Sequence, residues 1–384
     1  MKTRSVRLIS GLTGGFGLTA MFWPPYDCFK KKVATGARTH DGSEEWGYVE
    51  VRPKAHMFWW LYRSSYRVED SSKPWPIILW LQGGPGGSGV GIGNFEEIGP
   101  LDAYLKPRNS TWLQVADLLF VDNPVGTGYS FVEDKNANLF VKTDDEAAAD
   151  LTNLLEEIFN RNESLQKSPL YIVAESYGGK FAVTLGLSAL KAIEAGNLKL
   201  KLGGVALGDT WISPEDFVLS WGPLLKDLSR LDNNGLKKAN SLAEKIRQQI
   251  RENQYAAATD SWADLEGVIS DYSNSVDFYN FLLDSGVDPV SLTAELSKNI
   301  ARKSYSGYLS SLRSLPAGGV GDLESIMNGV IKRKLKIIPA NFSWGEQSDN
   351  VFSHMEGDFM RPRINEVDEL LAKGVNLTIY SGQV

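Results

Sequence analysis

The chain has 384 residues, a formal net charge of −7 and a hydrophobic fraction of 42% with 11 Trp, which is typical of a globular protein with a large core and excludes a disordered or fibrous chain. The acidic balance argues against a nucleic-acid-binding protein. The single Cys excludes an internal disulfide framework and a Cys-based zinc cluster, and the three His leave few candidates for any mechanism that needs one.

Residues 1–44 are predicted to form an atypical, poorly ordered N-terminal segment. Lys2, Arg4 and Arg7 precede a weakly apolar stretch, Ile9–Trp23, which Gly residues interrupt. A secretory signal peptide needs a denser apolar run, so this stretch does not predict one. Because nothing later approaches the ~20 apolar residues of a membrane span, no membrane partner is expected.

Short apolar runs alternate with helical patterns through most of the remaining chain. Thr143-Asp-Asp-Glu146 has the form of a capping box that opens a helix to about Phe159, and Phe181–Ala195 predicts a second helix. This alternation predicts an α/β fold with a mostly parallel sheet. The predicted strands are Phe58–Tyr62, Ile77–Leu81, Leu118–Val121, Leu170–Ala174, Gly204–Leu207 and Val375–Tyr380.

Strand patterns disappear between residues 214 and 341. We interpret this interval as a helical insertion into a core formed by residues 45–213 and 342–384. Such an insertion would cover the carboxyl ends of the strands, where α/β sheets bind ligands. Its predicted helices are Leu224–Leu231, Leu236–Arg251, Trp262–Ile269, Val276–Leu283 and Leu323–Lys332.

A nucleophile-elbow pattern occurs at Ala174-Glu-Ser-Tyr-Gly178, between a predicted strand and a predicted helix. A tight turn there lifts the Ser176 hydroxyl above the sheet edge and directs backbone N–H groups at a developing oxyanion. The alternative is a purely structural Ser176.

The Gly-rich segment Trp80-Leu-Gln-Gly-Gly-Pro-Gly-Gly-Ser88 follows another strand and precedes the elbow, where such a fold places the loop that supplies a second oxyanion N–H. A phosphate loop is disfavoured because no Gly-Lys-Ser/Thr follows. Two further segments, Gly93–Pro100 and Val121–Ser130, are predicted to be loops that carry polar residues on a rigid sheet.

Together these motifs resemble the serine carboxypeptidase family, over Glu45–Gln383. The resemblance implies an α/β-hydrolase fold with a helical insertion, and release of C-terminal amino acids from a peptide substrate through an acyl-serine intermediate. It implies no metal and no cofactor. The matching stretches are Met57–Tyr62, Trp80–Ser88, Gly93–Asp102, Asp117–Ser130, Glu175–Lys180 and Val205–Leu225.

The resemblance also implies roles for single residues. Ser176 is the expected nucleophile, and Gly84 and Tyr177 are expected to offer the oxyanion N–H groups. In α/β-hydrolases the acid and then the His follow the Ser along the chain. The family's acid follows a strand that resembles Val375–Gln383, and neither that Asp nor the later His is present in this sequence.

A carboxylate site is implied as well. Glu97 and Glu175 match the family's paired acids, and Gln82 occupies a position where the family has Asn. Two close carboxyls do not both ionise cheaply, so one keeps a proton that it donates to the substrate carboxylate at mildly acid pH. Trp80 and Tyr177 would line this subsite. The alternatives are a solvated loop acid for Glu97 and core positions for the two aromatics.

The three His are predicted to be spectators. His40 and His56 precede Ser176, and His354, which follows it, is expected at the surface or in the substrate cleft. A Ser without a base is a weak nucleophile, so we expect the 384-residue chain to be inactive or nearly so. We also expect an exposed apolar strand edge at Val375–Tyr380.

Four sequons, at Asn109, Asn162, Asn341 and Asn376, favour glycosylation and the secretory pathway, and the resemblance implies a lysosomal or extracellular protein. Three alternatives to a peptidase stay open: a non-catalytic protein that binds peptide carboxylates, an acyltransferase or esterase, and no stable product. The sequence leaves the oligomeric state and the preferred C-terminal residue open.

Overall fold

The computed structural model describes residues 35–68, 70, 72–284 and 323–382. In this part of the chain the strands form one mixed sheet in the order β1-β2-β3-β5-β4-β7-β8-β9, with β6 paired to β3. Neighbours from β1 to β5 run antiparallel, whereas β5, β4, β7, β8 and β9 are parallel. The strands are β1 Thr35–Arg38, β2 Glu44–Arg52, β3 Ala55–Tyr62, β4 Ile77–Leu81, β5 Asp117–Val121, β6 Phe131–Val132, β7 Pro169–Glu175, β8 Lys201–Gly208 and β9 Leu377–Tyr380.

Helices flank this sheet and account for most of the described residues between β8 and β9. Two further segments, Gly89–Ile98 and Met327–Ile331, are π-helical. The α-helices are α1 Asp144–Phe159, α2 Glu163–Gln166, α3 Gly178–Glu194, α4 Pro214–Asp227, α5 Asn233–Arg251, α6 Tyr255–Ser273, α7 Leu323–Ile326, α8 Lys332–Leu335, α9 Asp349–Phe359 and α10 Ile364–Ala372. The mostly parallel sheet with flanking helices confirms the predicted α/β-hydrolase fold.

The two faces of the sheet bury different side chains because residues alternate along each strand. On one face Leu79 and Leu119 join an aliphatic core with α1 and α3. On the other face Trp80 and Phe120 join an aromatic core that includes Trp60. Because both faces of the sheet are covered by a core, its strands are apolar, and the six strands predicted from apolar runs are confirmed.

Capping explains the predicted start of α1. The Thr143 hydroxyl accepts a hydrogen bond from the Glu146 N–H at 3.2 Å, as the capping-box pattern predicts. Leu151, Leu154 and Leu155 on the inward face of α1 are fully buried. The helix therefore begins and packs as its sequence indicates.

Three local predictions need correction. Residues 35–44 are not a poorly ordered tail, because Thr35–Arg38 pairs with β2; residues 1–34 lie outside the described part. The strands β2 and β6 were also not predicted. Gly93–Ile98 is helical rather than a loop, since the Ser88 hydroxyl caps this segment by accepting from the Gly91 N–H at 2.9 Å.

The third correction concerns Val276–Leu283, which was predicted to be a helix and is not one. Helix α6 ends at Asn274, whose φ of 58° is left-handed, and Val276 then forms an isolated bridge with Asp284. The Asp277 carboxylate accepts hydrogen bonds from the Tyr279 and Asn280 N–H groups at 2.8 Å, which favours a turn. The predicted helices Leu236–Arg251, Trp262–Ile269 and Leu323–Lys332 are present, whereas Leu224–Leu231 is helical only as far as Asp227, the end of α4.

Within the described residues, no helix combines the length and apolar character needed to cross a membrane. In the same residues, no three His, Cys, Asp or Glu come together as a metal site would require. β9 lies at the edge of the described sheet, and its Ile379 is 61% exposed.

Candidate active site

Ser176 lies in the sharp turn between β7 and α3. Its φ is 55°, a left-handed conformation that costs a non-glycine residue about 1–3 kcal/mol and is typical of functional turns. The turn is tight because a Cβ on Gly178 would come within 2.2 Å of the Leu81 carbonyl oxygen, and a Cβ on Gly179 within 2.4 Å of Thr210. The elbow predicted from sequence is therefore present.

The Gly-rich segment after β4 packs its backbone directly against this turn. A Cβ on Gly83 would lie 2.9 Å from both the Ser176 Oγ and the Tyr177 backbone nitrogen. The next residue, Gly84, has a φ of 117°, which favours glycine. Gly84, Ser176 and Tyr177 line one cavity of about 230 Å³. The structure thus brings together the residues predicted for the nucleophile and the oxyanion site.

A hydrogen-bonded set of polar side chains lies beside Ser176. Glu97, from the segment Gly89–Ile98, shares a hydrogen bond with Glu175, the last residue of β7. Gln82 Nε2 donates to Glu175 Oε2 at 2.9 Å. Trp80 Nε1 donates to Gln82 Oε1 at 2.7 Å, which fixes the orientation of the amide. The four residues predicted for the carboxylate site are therefore adjacent.

The electrostatics of this set favour a retained proton. Burial raises the pKa of Glu97 to about 8, and the nearby charge of Glu175 adds to the effect. Burial also raises the pKa of Glu175, although Gln82 opposes the shift. Glu97 is therefore protonated at mildly acid and neutral pH and donates to Glu175, while both side chains stay partly exposed.

The two aromatics predicted for this subsite are core residues. Trp80 is 3% exposed and lies against Gly93, where a Cβ would meet its ring at 2.3 Å. Tyr177 is 1% exposed, and its hydroxyl donates to Asp144 Oδ1 at 2.8 Å. Trp80 therefore acts through Gln82, and Tyr177 contributes its backbone to the site.

Sequence reasoning missed Asp209, which directly follows β8. Its φ is 44°, it lines the cavity, and its charge contributes to the raised pKa of Glu175. Asp209 Oδ1 accepts from the Ser381 hydroxyl at 2.6 Å. The signal that could have identified Asp209 from sequence is its place directly after the strand that neighbours the elbow strand, where α/β sheets bind ligands.

The rest of the cavity is aromatic, and its walls also went unpredicted. Rings from the β8–α4 connection, from α4 and α6, and from α9 pack against one another in stacked, tilted and T-shaped pairs, with the Trp262 and Phe359 centroids 4.7 Å apart. Glu266 of α6 lies among them. We call this space the aromatic cavity, and its main aromatic lining residues are Trp211, Phe217, Trp221, Trp262, Phe278 and Phe359.

None of the three His lines this cavity. His40 is exposed in the β1–β2 turn, and His56 Nε2 lies 2.8 Å from Glu133 Oε1. His354 of α9 places its Nδ1 2.7 Å from the Asn350 carbonyl oxygen and stacks on a neighbouring Phe ring. Among the described residues, Ser176 Oγ has no hydrogen-bond partner.

Three of the predicted glycosylation sites, Asn109, Asn341 and Asn376, are exposed. Asn162 is half-buried and caps α2, because its Oδ1 accepts from the Ser164 N–H at 3.1 Å.

Comparison with known proteins gives one consistent answer. The family model described as serine carboxypeptidase matches residues 36–384. The chain is 67% identical to serine carboxypeptidase-like 51 of Arabidopsis thaliana over 348 residues, which cover 90% of this chain and 76% of that protein. It is 47% identical to the retinoid-inducible serine carboxypeptidase of Mus musculus over 358 residues, 93% of this chain and 77% of that protein.

A solved structure supports the fold independently. The prohormone-processing carboxypeptidase KEX1(delta)p of Saccharomyces cerevisiae superposes with a TM-score of 0.68 over 88% of this chain and 73% of its own. At 20% sequence identity this likeness concerns the fold alone.

Proposed function

Because this chain belongs to the serine carboxypeptidase family, we propose that its Ser176 site binds peptides by their free C-terminal carboxylate and acts on the last peptide bond. The observation that carries this proposal is the hydrogen-bonded set of Glu97, Glu175 and Gln82 beside the Ser176 turn. An esterase or acyltransferase has no need of such a set, which argues against that alternative.

The set suits a carboxylate ligand for a simple electrostatic reason. A carboxylate ligand can take over the hydrogen bonds that protonated Glu97 and the Gln82 amide donate to Glu175 in the free site. A hydrogen bond to a charged group is stronger than a neutral one. Ionised Glu97 would instead repel the ligand. Because the pKa of Glu97 is raised to about 8 by burial, the site holds its proton up to that pH.

The family chemistry at Ser176 is acyl transfer. A bond forms between Ser176 Oγ and the scissile carbonyl carbon, the C–N bond breaks, and the hydroxyl proton leaves on the released amine. Water then attacks the acyl-serine and frees the shortened peptide. The backbone N–H groups of Gly84 and Tyr177 are the proposed donors to the oxyanion.

This chemistry needs a base, and no described His lies at Ser176. We therefore propose that the 384-residue polypeptide binds C-terminal peptides but turns them over slowly, by a factor on the order of 10⁴–10⁶ relative to an enzyme with a complete triad. Peptide-carboxylate binding without turnover is the second candidate function, and the unpartnered Ser176 hydroxyl favours it.

The test separates recognition from turnover. Calorimetry at pH 6 should detect binding of a blocked dipeptide with a free carboxylate, and at least tenfold weaker binding of its C-terminal amide. Ser176→Ala should leave that affinity unchanged. Equal affinities for acid and amide would contradict the proposed recognition, whereas rapid stoichiometric labelling of Ser176 by a serine-reactive phosphonate would contradict slow turnover.

We also propose a secretory-pathway location, lysosomal or extracellular, with glycans on the sequons. The exposure of Asn109, Asn341 and Asn376 supports it. A mass shift after glycosidase treatment of the protein from a eukaryotic host is the expected result, and the absence of any shift would contradict it.

A further inference from the structure

The aromatic cavity contains one acid, Glu266, that the proposed function leaves without a role. Glu266 lies on the inward face of α6 and is 8% exposed. Its Oε2 is enclosed and has no hydrogen-bond partner in the described residues. An enclosed carboxyl without a partner is costly, so its presence calls for an explanation.

The environment of this carboxyl is apolar. Trp262 precedes it by one helical turn, and Trp211 and Trp221 line the same cavity, with the Trp211 and Trp262 ring centroids 6.3 Å apart. Burial alone raises the pKa of Glu266 to about 8. No Lys or Arg in the described residues forms an ion pair with it.

The aromatic cavity is separate from the carboxylate set. It includes Ser176, Tyr177 and Gly84, but not Gln82, Glu97 or Glu175. In a peptide whose terminal carboxylate lies at Glu97, the residue before the C-terminal one places its carbonyl at Ser176 and so lies beside the aromatic cavity.

We propose that the aromatic cavity binds a cationic side chain, Lys or Arg, on the peptide residue whose carbonyl faces Ser176, with Glu266 as its carboxylate partner. This inference rests on the proposed function and names the substrate class of that site.

Two physical effects support a cation over other side chains. The faces of Trp rings attract an ammonium or guanidinium group, and the attraction grows when the cation is desolvated. A cation also gives the Glu266 carboxylate the partner that it lacks, whereas an apolar side chain of the same length leaves it unpaired. A neutral donor would gain only the second effect.

The test compares two blocked dipeptides that differ at the penultimate position, one with Lys and one with norleucine, each ending in a free alanine carboxylate. Binding is measured by calorimetry at pH 7 with the full chain carrying Ser176→Ala, which prevents turnover. At pH 7 Glu97 keeps its proton. The pKa of Glu266 is raised to about 8, so pH 7 is only about one unit below it and a bound cation can favour the ionised form.

We expect the Lys peptide to bind at least tenfold more tightly than the norleucine peptide. Glu266→Gln should reduce that ratio to about threefold or less. Asp264→Asn removes an exposed acid from the same helix and should leave the ratio unchanged. Thermal unfolding checks that both variants are folded. If a variant does not fold, the comparison of the Lys and norleucine peptides in the parent still tests the proposal.

The outcomes are distinct. If the norleucine peptide binds as the free acid and Lys gives no advantage, or if Glu266→Gln keeps the Lys preference, the cation subsite is overturned and carboxylate recognition stands. If neither peptide binds, the proposed function is overturned and this inference with it.

Discussion

Two groups of acids flank the Ser176 turn, and they differ in what neutralises them. Behind Tyr177, Asp144 and Asp358 are held by Arg363 at 2.9 Å each, with Lys180 Nζ 3.4 Å from Asp144. We call these four residues the ionic cluster. In front, Glu97 and Glu175 share a proton and, among the described residues, form no ion pair with Lys or Arg.

The difference indicates that the ionic cluster supports the fold, whereas the Glu97–Glu175 pair is available to a ligand. A buried acid with a fixed cation is a support, since its charge is already compensated. An acid pair without a cation keeps a proton and a partly open position for an incoming ligand. Substitutions on the two sides of Ser176 should therefore have different consequences.

The largest effect is expected in the ionic cluster. Arg363→Met leaves Asp144 and Asp358 without their guanidinium partner, so the free energy of unfolding should fall by about 3–5 kcal/mol in urea denaturation. The neighbouring Arg361, whose side chain is 42% exposed, provides the control. Arg361→Met should change the free energy of unfolding by less than about 1 kcal/mol. Equal effects of the two substitutions would contradict a supporting role.

On the front side, Gly83→Ala should disturb the Ser176 site. The added Cβ would lie 2.9 Å from Ser176 Oγ and displace it. The rate at which a serine-reactive phosphonate labels Ser176 should fall by about 100-fold, the order of effect on a rate expected for a displacement of about 1 Å. Gly345→Ala, where the nearest atom is 3.8 Å away, should have no effect. An unchanged labelling rate in Gly83→Ala would refute the close packing of the loop on Ser176.

Glu266 has a smaller effect on stability within any single pH unit. Its pKa is raised from 4.5 to about 8 by burial, so the folded chain binds the proton more tightly than the unfolded chain. Stability should therefore fall as pH rises from about 4.5 to 8, by up to about 1.4 kcal/mol per pH unit, and level off above. The difference between the parent and Glu266→Gln in urea denaturation should show this slope. A difference that is flat with pH would contradict the enclosed carboxyl.

The sequence was sufficient where the determining contacts are local. The capping box at Thr143 sets the start of α1, and the elbow at Ser176 follows from a strand, a small-residue turn and a helix. Paired acids at Glu97 and Glu175 followed from a family resemblance rather than from local physics. At Val276–Leu283 an apolar spacing was misleading, because the turn made by Asp277 outweighs it.

The sequence was insufficient where partners lie far apart along the chain. Arg363 and Asp144 are separated by 219 residues, so no local pattern indicates that this Arg is buried. The aromatic cavity joins Trp211 with rings from α6 and α9, and the positions of these rings depend on how separate helices pack together. Side chains of this kind become identifiable only in three dimensions.

The smallest predicted change tests the central claim, that Glu97 supplies a proton to the peptide carboxylate. Affinity for the free-acid dipeptide is measured by calorimetry from pH 6 to 9.5 in the parent, in Glu97→Gln and in Glu163→Gln, an exposed control. Because the pKa of Glu97 is raised to about 8, affinity in the parent and the control should be constant below that pH and fall about tenfold per unit above it. Glu97→Gln should bind equally at all these pH values. A parent affinity that does not fall above pH 8, or a variant that falls in parallel with it, would contradict the account.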